Sequence, residues 1–352
     1  KVLPYRDYPA DRSDGMCSIS TMNYHAKGIG QFLGEMADRC FTPHHAFTAG
    51  EVFYVNDEDL PEFIGDNGYF SSMFDFNETV CNASDKGWYD QKPITPEQYK
   101  ACCFESQKKV AGFGGFLSNI IENHDEPRGV SRYIPKGECT VRGKKMLGGL
   151  NFLLRGLPFI YQGQELGMEN LAVNSIDEVD DISARDEYQV ALNAGLTEQQ
   201  AMDAVNMFSR DNARTPFQWD TTENAGFTTG KPWLHVNPNY KEINLEAQRN
   251  DPDSVYQFYR TLIQLRKKSE LEDAIIYGET VPYRVEQKNL MAYLRKGEKN
   301  TVLVMGNFQP EAQTVPLPGA VKQVLLNNCD TAAIADGAVT LEGYQLLVLW
   351  ME

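Results

Sequence analysis

Between residues 27 and 168 the apolar residues switch repeatedly between two periods, and that alternation restricts the fold more than any single residue does. Ile29, Phe32, Leu33, Met36 and Cys40 recur at helical spacing and predict a helix over about 27–40. Residues 47–53 and 69–76 read as strands. Thr95-Pro96-Glu97-Gln98 combines a cap, a first-turn proline and a third-position glutamine, so a helix should start there and run toward Val110. Leu117, Ile120 and Ile121 predict a buried strand that Ser118 and Asn119 interrupt. Pro127 blocks further pairing, so that strand should end near His124 and Asp125. Met146, Leu147, Leu150, Leu153 and Leu154 mark an amphipathic helix over 142–154, with Gly156 as its C-cap. Residues 157–168 begin as a strand and run into a glycine-bounded polar turn. Strands separated by helices at this spacing imply βα units and a parallel sheet.

The pattern then changes twice. Residues 170–210 are acidic and irregular, with Thr197 capping one helix, and residues 210–240 carry too many aromatics for a disordered linker. Long structured loops of this kind usually serve function. Ser254 caps a helix whose core face is Val255, Phe258, Tyr259, Leu262 and Ile263. From about Ala274 short strands follow at 283–285, 290–294, 301–308, 321–326 and 345–350, which reads as a separate all-β sandwich.

The formal net charge of −16 argues against nucleic acid or an anionic membrane surface as a partner, because both need positive charge. No apolar run reaches membrane-spanning length, and residues 1–14 carry no signal-peptide pattern. The chain opens without Met and in mid-pattern, which does not read as a natural start. Cys17, Cys40, Cys81, Cys102, Cys103, Cys139 and Cys329 are odd in number and scattered, so reduced thiols in a cytoplasm are the simpler reading than a disulfide framework. No Cys/His cluster has zinc spacing, His44-His45 reads as a loop or helix-end pair, and no metal or other cofactor is expected.

Three carboxylates stand at turns: Glu51 and Asp125 at strand ends, and Glu165 beyond a strand. Glu51 is an edge charge or a functional group; taken alone the edge charge is the plainer reading. At the C-terminal end of parallel strands, where catalytic residues collect, paired carboxylates suit glycosidic-bond cleavage. One acid protonates the leaving oxygen while another carboxylate attacks or stabilises the sugar carbon.

Longer motifs sharpen this. Ala49-Gly50-Glu51, Asn123-His124-Asp125-Glu126-Pro127-Arg128, the run Pro158-Phe159-Ile160-Tyr161-Gln162-Gly163-Gln164-Glu165 with Leu166-Gly167-Met168, and Asp211-Asn212-Ala213-Arg214-Thr215-Pro216-Phe217-Gln218-Trp219-Asp220 stand in order, followed by Ala225-Gly226-Phe227-Thr228 and Val236-Asn237-Pro238-Asn239-Tyr240. On these residues the chain resembles the α-amylase family, and more narrowly the branch of oligo-1,6-glucosidases, dextran glucosidases and bacterial α-glucosidases. The resemblance implies that Glu51 is the general acid/base and that Asp125 grips sugar hydroxyls and favours the distorted ring. It implies that His124 donates a hydrogen bond to a hydroxyl beside it and that Arg214 helps close a non-reducing-end pocket. Arg128 and Glu126 would bind at the rim or support the contacting residues, and Glu165 is either a turn acceptor or a sugar contact. Glu126 stands where many relatives carry Gln, and Gln164 where many carry Glu; both exchanges would tune subsites beyond the cleaved bond.

One departure is large. The family carries its nucleophile in an Arg-x-Asp motif at the end of the fourth barrel strand, and no such strand is found; Arg185-Asp186 lies in an acidic loop and does not qualify. The resemblance therefore implies the C-terminal half of a (β/α)8 barrel, strands five to eight, over 1–273 with long loops at 170–250, and then an antiparallel β-sandwich over 274–352. The family's calcium site falls in the other half. Such a chain alone should not hydrolyse glycosides, and its open half-barrel edge invites self-association. The expected partner is an oligosaccharide of α-linked glucose. Two other readings are a glucosyl-transferring or isomerising relative (sucrose isomerase or trehalose synthase type) and a non-catalytic relative resembling transporter heavy chains. The last expects loss of Glu51, His124 or Asp125 and gain of a membrane span, neither of which is seen.

Overall fold

The computed structural model describes residues 15, 28–53, 55 and 57–352. The loop expected over 1–26 thus lies, apart from Gly15, outside the described residues. The chain forms two compact units, one of residues 1–74 with 109–118 and the other of residues 75–108 with 119–352.

In the first unit, helix α1 (Ile29–Met36) runs on into a π-helical turn, Ala37–Phe41. Its apolar stripe is not core: Ile29, Phe32 and Met36 are all exposed. The predicted strands shrink to β1 (Ala49–Gly50), β2 (Ser72–Phe74) and β3 (Leu117–Asn119). They pair in parallel, Ala49 opposite Ser72 and Met73 opposite Leu117. Hydroxyl groups explain the shortening before β1 and β2. The Thr48 and Ser71 backbone N–H groups each donate to the other's side-chain oxygen, at 3.1 and 3.0 Å, where a backbone ladder would otherwise continue. Leu60, Ile64, Met73, Val110 and Leu117 make this unit's small core.

The second unit carries most of the structure. Helix α2 (Pro96–Ala111) begins with the expected reciprocal cap: Gln98 N–H donates to Thr95 Oγ1 at 3.2 Å, and Thr95 N–H donates to Gln98 Oε1 at 2.9 Å. Helix α3 (Val141–Phe152) is buried all round from Gly143 to Phe152, not on one face, because a β-sheet covers the side opposite its helical neighbours. After it come β4 (Leu157–Pro158), α4 (Ile182–Asn193), α5 (Glu198–Phe208) with a Thr197–Gln200 capping box, and α6 (Val255–Arg266) capped by Ser254.

The C-terminal strands form two antiparallel sheets. Strands β5 (Glu279–Tyr283), β6 (Leu290–Lys296), β7 (Thr301–Asn307), β12 (Leu346–Met351) and β9 (Val321–Asn327) lie in the order β5-β6-β7-β12-β9. Strands β8 (Gln313–Pro316), β10 (Ala333–Ala335) and β11 (Ala338–Leu341) make the smaller sheet, ordered β10-β11-β8. The strand expected at 283–285 ends instead at Tyr283, because Arg284 adopts a left-handed φ of 50°.

Period-two alternation then sorts the large sheet. Leu290, Ala292, Leu303, Met305, Leu347 and Leu349 face Val315, Val339 and Leu341 of the smaller sheet. Met291, Tyr293, Val302, Val304, Leu346 and Val348 join Met146, Leu147 and Leu150 of α3 and Phe258 and Leu262 of α6. Tyr293 Oη donates to the Leu150 carbonyl at 2.6 Å, and the buried Arg295 donates to the Leu153 carbonyl, so the sheet satisfies the C-terminal carbonyls of α3. No helix among the described residues is long and apolar enough to cross a membrane.

Candidate active site

The site is built on the loop that follows β3. Strand pairing stops at Asn119, not near His124, although Ile120 and Ile121 stay buried. The chain is held instead by an ion pair. Glu122 Oε1 lies 2.9 Å from Arg128 Nη1, and neither side chain has any exposed surface. Glu122 Oε2 accepts the Gly129 N–H at 2.7 Å. Arg128 also donates to the carbonyls of Gln162 (2.7 Å), Asn212 (3.3 Å) and Ala213 (3.2 Å). Arg128 therefore ties the polar turn at 162 and the turn at 212–213 to the loop at 123–127. Of the two expectations for Arg128, its full burial favours support of the loop over a place at the rim.

Pinned at both ends, the loop presents His124 and Asp125. Asn123 Oδ1 accepts the Asp125 N–H at 2.7 Å, a local turn that fixes the direction of the carboxylate. Asp125 Oδ1 lies 2.7 Å from Arg214 Nη2 and 3.6 Å from Arg210 Nη1, and Asp125 Oδ2 lies 3.3 Å from His124 Nε2. Arg214 Nε donates to the His124 carbonyl at 2.7 Å. His124 is exposed, and the Asp125 side chain keeps 44% of its surface open. Glu126 turns the other way and pairs with Arg132, largely withdrawn from solvent. Burial pushes the Glu126 carboxyl up, against the pull of the Arg132 charge.

Of the residues expected from the sequence, the second unit brings together His124, Asp125 and Arg214 and keeps Arg128 and Glu126 behind them. Glu51 stands directly after β1 in the first unit and is exposed. Glu165 Oε2 accepts the Gly163 N–H at 2.8 Å, which favours its role as a turn acceptor; burial pushes its carboxyl up. Gln164 is buried, donating to Tyr259 Oη at 2.9 Å and accepting from Tyr161 N–H at 3.1 Å. It thus locks the turn to α6.

Two residues were not anticipated. Arg210 donates to Asp181 Oδ1 through Nε at 2.9 Å, and its N–H meets Asp181 Oδ2 at 3.0 Å. Asp181 also caps α4. Burial alone would raise the Asp181 carboxyl, but the Arg210 hydrogen bonds and charge outweigh it and hold it below its ordinary value. The signal was available: Arg210 precedes Arg214 by four residues, a spacing that puts both on one side of a helical turn. Among the described residues no group of three or more His, Cys, Asp or Glu is placed to hold a metal ion.

A carboxylate held by two arginines stands in the loop after a short parallel strand, and antiparallel sheets follow it in the chain. The chain belongs to the α-amylase family: residues 4–278 match the α-amylase catalytic domain, and residues 290–348 match the α-amylase SusG C-terminal domain. It is 36% identical over 300 residues to a probable oligo-1,6-glucosidase 3 of Bacillus subtilis strain 168, covering 84% of this chain and 52% of that protein. Among solved structures, trehalose-6-phosphate hydrolase of Bacillus licheniformis superposes with a TM-score of 0.87 at 31% identity, covering 97% of this chain and 61% of that one. Isomaltulose synthase of Klebsiella sp. LX3 gives 0.85 at 30% identity, covering 93% and 59%. The chain spans a little over half the length of the curated relatives it matches.

Proposed function

We propose that this chain is the C-terminal part of a retaining glycoside hydrolase that acts on α-glucosidic bonds of oligosaccharides, exo-acting and of the oligo-1,6-glucosidase type. The observation that carries the reading is the Asp125 carboxylate. One oxygen is fixed by Arg214 while the side chain stays 44% open, which suits a group that must meet sugar hydroxyls without moving. In this reading His124 donates to a neighbouring hydroxyl, and Arg214 closes the blind end of the pocket. Glu51 protonates the leaving oxygen and then deprotonates the attacking water.

A retaining enzyme also needs a nucleophile about 5 Å from the acid. No strand among the described residues ends in Arg-x-Asp, so we assign the nucleophile to a strand outside this sequence and the present residues to strands five to eight of a (β/α)8 barrel. The C-terminal sheets follow from 274. The chain by itself then does not turn over glycosides, and its open barrel edge favours self-association. The protein acts in the cytoplasm in this reading. The test is to assay this chain and a chain extended upstream on isomaltose and maltose. Glucose release by the longer chain alone supports the proposal; turnover by this chain, highly purified, overturns its inactive part.

A second reading directs the glucosyl intermediate to a sugar in place of water. The near-equal TM-scores to a hydrolase (0.87) and to an isomaltulose synthase (0.85) favour keeping it. Product analysis with sucrose separates the two: glucose and fructose for hydrolysis, an isomeric disaccharide for transfer.

A further inference from the structure

We propose that Arg210 is a second sugar-binding arginine, whose Nη1 donates a hydrogen bond to the same substrate hydroxyl that donates to Asp125. The inference rests on the hydrolase reading above and adds one contact to it. Arg210 stands at the start of the short helix Asp211–Arg214, four residues before Arg214, and both guanidinium groups reach the Asp125 carboxylate.

One edge of the Arg210 guanidinium is held. Its Nε donates to Asp181 Oδ1 at 2.9 Å, and its Nη2 donates to Asp181 Oδ1 and, at 3.2 Å, to Ser183 Oγ. The Asp181 side chain has no exposed surface and is itself fixed, because it also accepts the Ser183 N–H at 3.1 Å and the Arg210 N–H at 3.0 Å. The backbone beneath is stitched as well: the Asp180 and Asp181 N–H groups both donate to Asp211 Oδ2, at 2.7 and 3.1 Å. Arg210 cannot swing away from Asp125 without breaking these bonds.

The other edge is unspent. Among the described residues Nη1 makes no hydrogen bond; it lies 3.6 Å from Asp125 Oδ1, close enough for attraction and too far for a hydrogen bond. The Arg210 side chain is 28% exposed and that of Asp125 is 44% exposed, so solvent reaches both. Chemistry then selects what joins them. A guanidinium only donates and an ionised carboxylate only accepts, whereas a hydroxyl does both. One sugar hydroxyl can therefore donate to Asp125 and accept from Arg210 at once. A phosphate would satisfy Arg210 alone, and its charge would repel the carboxylate. Asp181 is then a positioning residue, acting on the sugar through Arg210.

The test uses the chain extended upstream, with p-nitrophenyl α-glucoside and its monodeoxy analogues, each lacking one hydroxyl of the glucose. Arg210→Lys keeps a charge to pair with Asp181 but offers no second arm to the sugar. On the full glucoside its kcat/KM should fall roughly 10- to 100-fold, and the loss should vanish on the one analogue that lacks the bridging hydroxyl. Asp181→Asn loosens Arg210 without removing it. Its loss should be confined to the same hydroxyl, and it carries the test if the lysine variant does not fold. An equal loss on every glucoside, or none on any, overturns the Arg210 contact while the hydrolase reading stands. An unaltered extended chain that releases no nitrophenol overturns that reading and this proposal with it.

Discussion

Arg214 reaches two atoms of one loop: its Nη2 lies 2.7 Å from Asp125 Oδ1, while its Nε donates to the His124 carbonyl at 2.7 Å. A planar guanidinium can hold both because its donors are fixed in a fork, and a lysine ammonium cannot. Arg214→Lys should therefore leave the unfolding midpoint nearly unchanged and lower kcat/KM of the upstream-extended chain. A hydrogen bond to a charged group contributes about 1.5–3 kcal/mol, which is roughly a 10- to 100-fold loss. Steady-state kinetics beside a denaturant curve checks both halves. Unchanged kcat/KM would remove Arg214 from the site.

The Glu122–Arg128 pair makes the opposite demand. Both side chains are fully buried, so removing one partner strands a charge. Arg128→Met should destabilise the fold by about 3–5 kcal/mol, and adding Glu122→Leu should recover much of that loss, because the second change removes the orphan. Urea unfolding of the two single variants and the double variant tests this. A double variant as weak as the sum of the singles would contradict it.

Glu78 should make the protein weaken toward alkaline pH. It is 2% exposed, and its Oε2 has no hydrogen-bond partner. Burial, followed by the nearby Asp75 carboxylate, holds its carboxyl well above the ordinary value. The native state then keeps a proton that the unfolded chain has released. The stability from that proton is present below the unfolded value and is lost as pH rises through the folded one. Glu78→Gln carries no titrating group. Between about pH 5 and pH 8 its unfolding free energy should fall less than that of the parent, as read from denaturant midpoints at several pH values. Parallel curves would refute the assignment.

Helix α3 and the large sheet approach closely through glycine. A Cβ at Gly149 would run into Leu346 Cδ2, and one at Gly306 would lie 2.6 Å from Leu150 Cδ1. Gly149→Val should cost about 1–3 kcal/mol despite the better helix propensity of valine, because the core must move to admit it. Thermal unfolding measures the loss, and a variant as stable as the parent would show that this contact yields.

What the sequence made legible follows from how local the determinant is. The caps at Thr95, Thr197 and Ser254 are read from four consecutive residues, and all three stand where expected. The His124, Asp125 and Arg214 cluster was legible through motif resemblance. The burial of Arg128 was not, because an Arg at the end of a loop motif gives no sign of the Glu122 that neutralises it six residues earlier. Strand lengths failed for a similar reason: the hydroxyls of Thr48 and Ser71 compete with the ladder through pairing across 23 residues. Helix α3 looked one-sided because Gly143, Gly148 and Gly149 carry no hydrophobic label, yet they are part of its buried surface.

The large sheet is covered twice, by the smaller sheet on one face and by α3 and α6 on the other. Its strands and those helices should therefore melt as one cooperative unit. A chain cut near 273 would leave Met291, Tyr293, Val304, Val348 and Trp350 without their cover, so the C-terminal sheets released in that way should aggregate through that face.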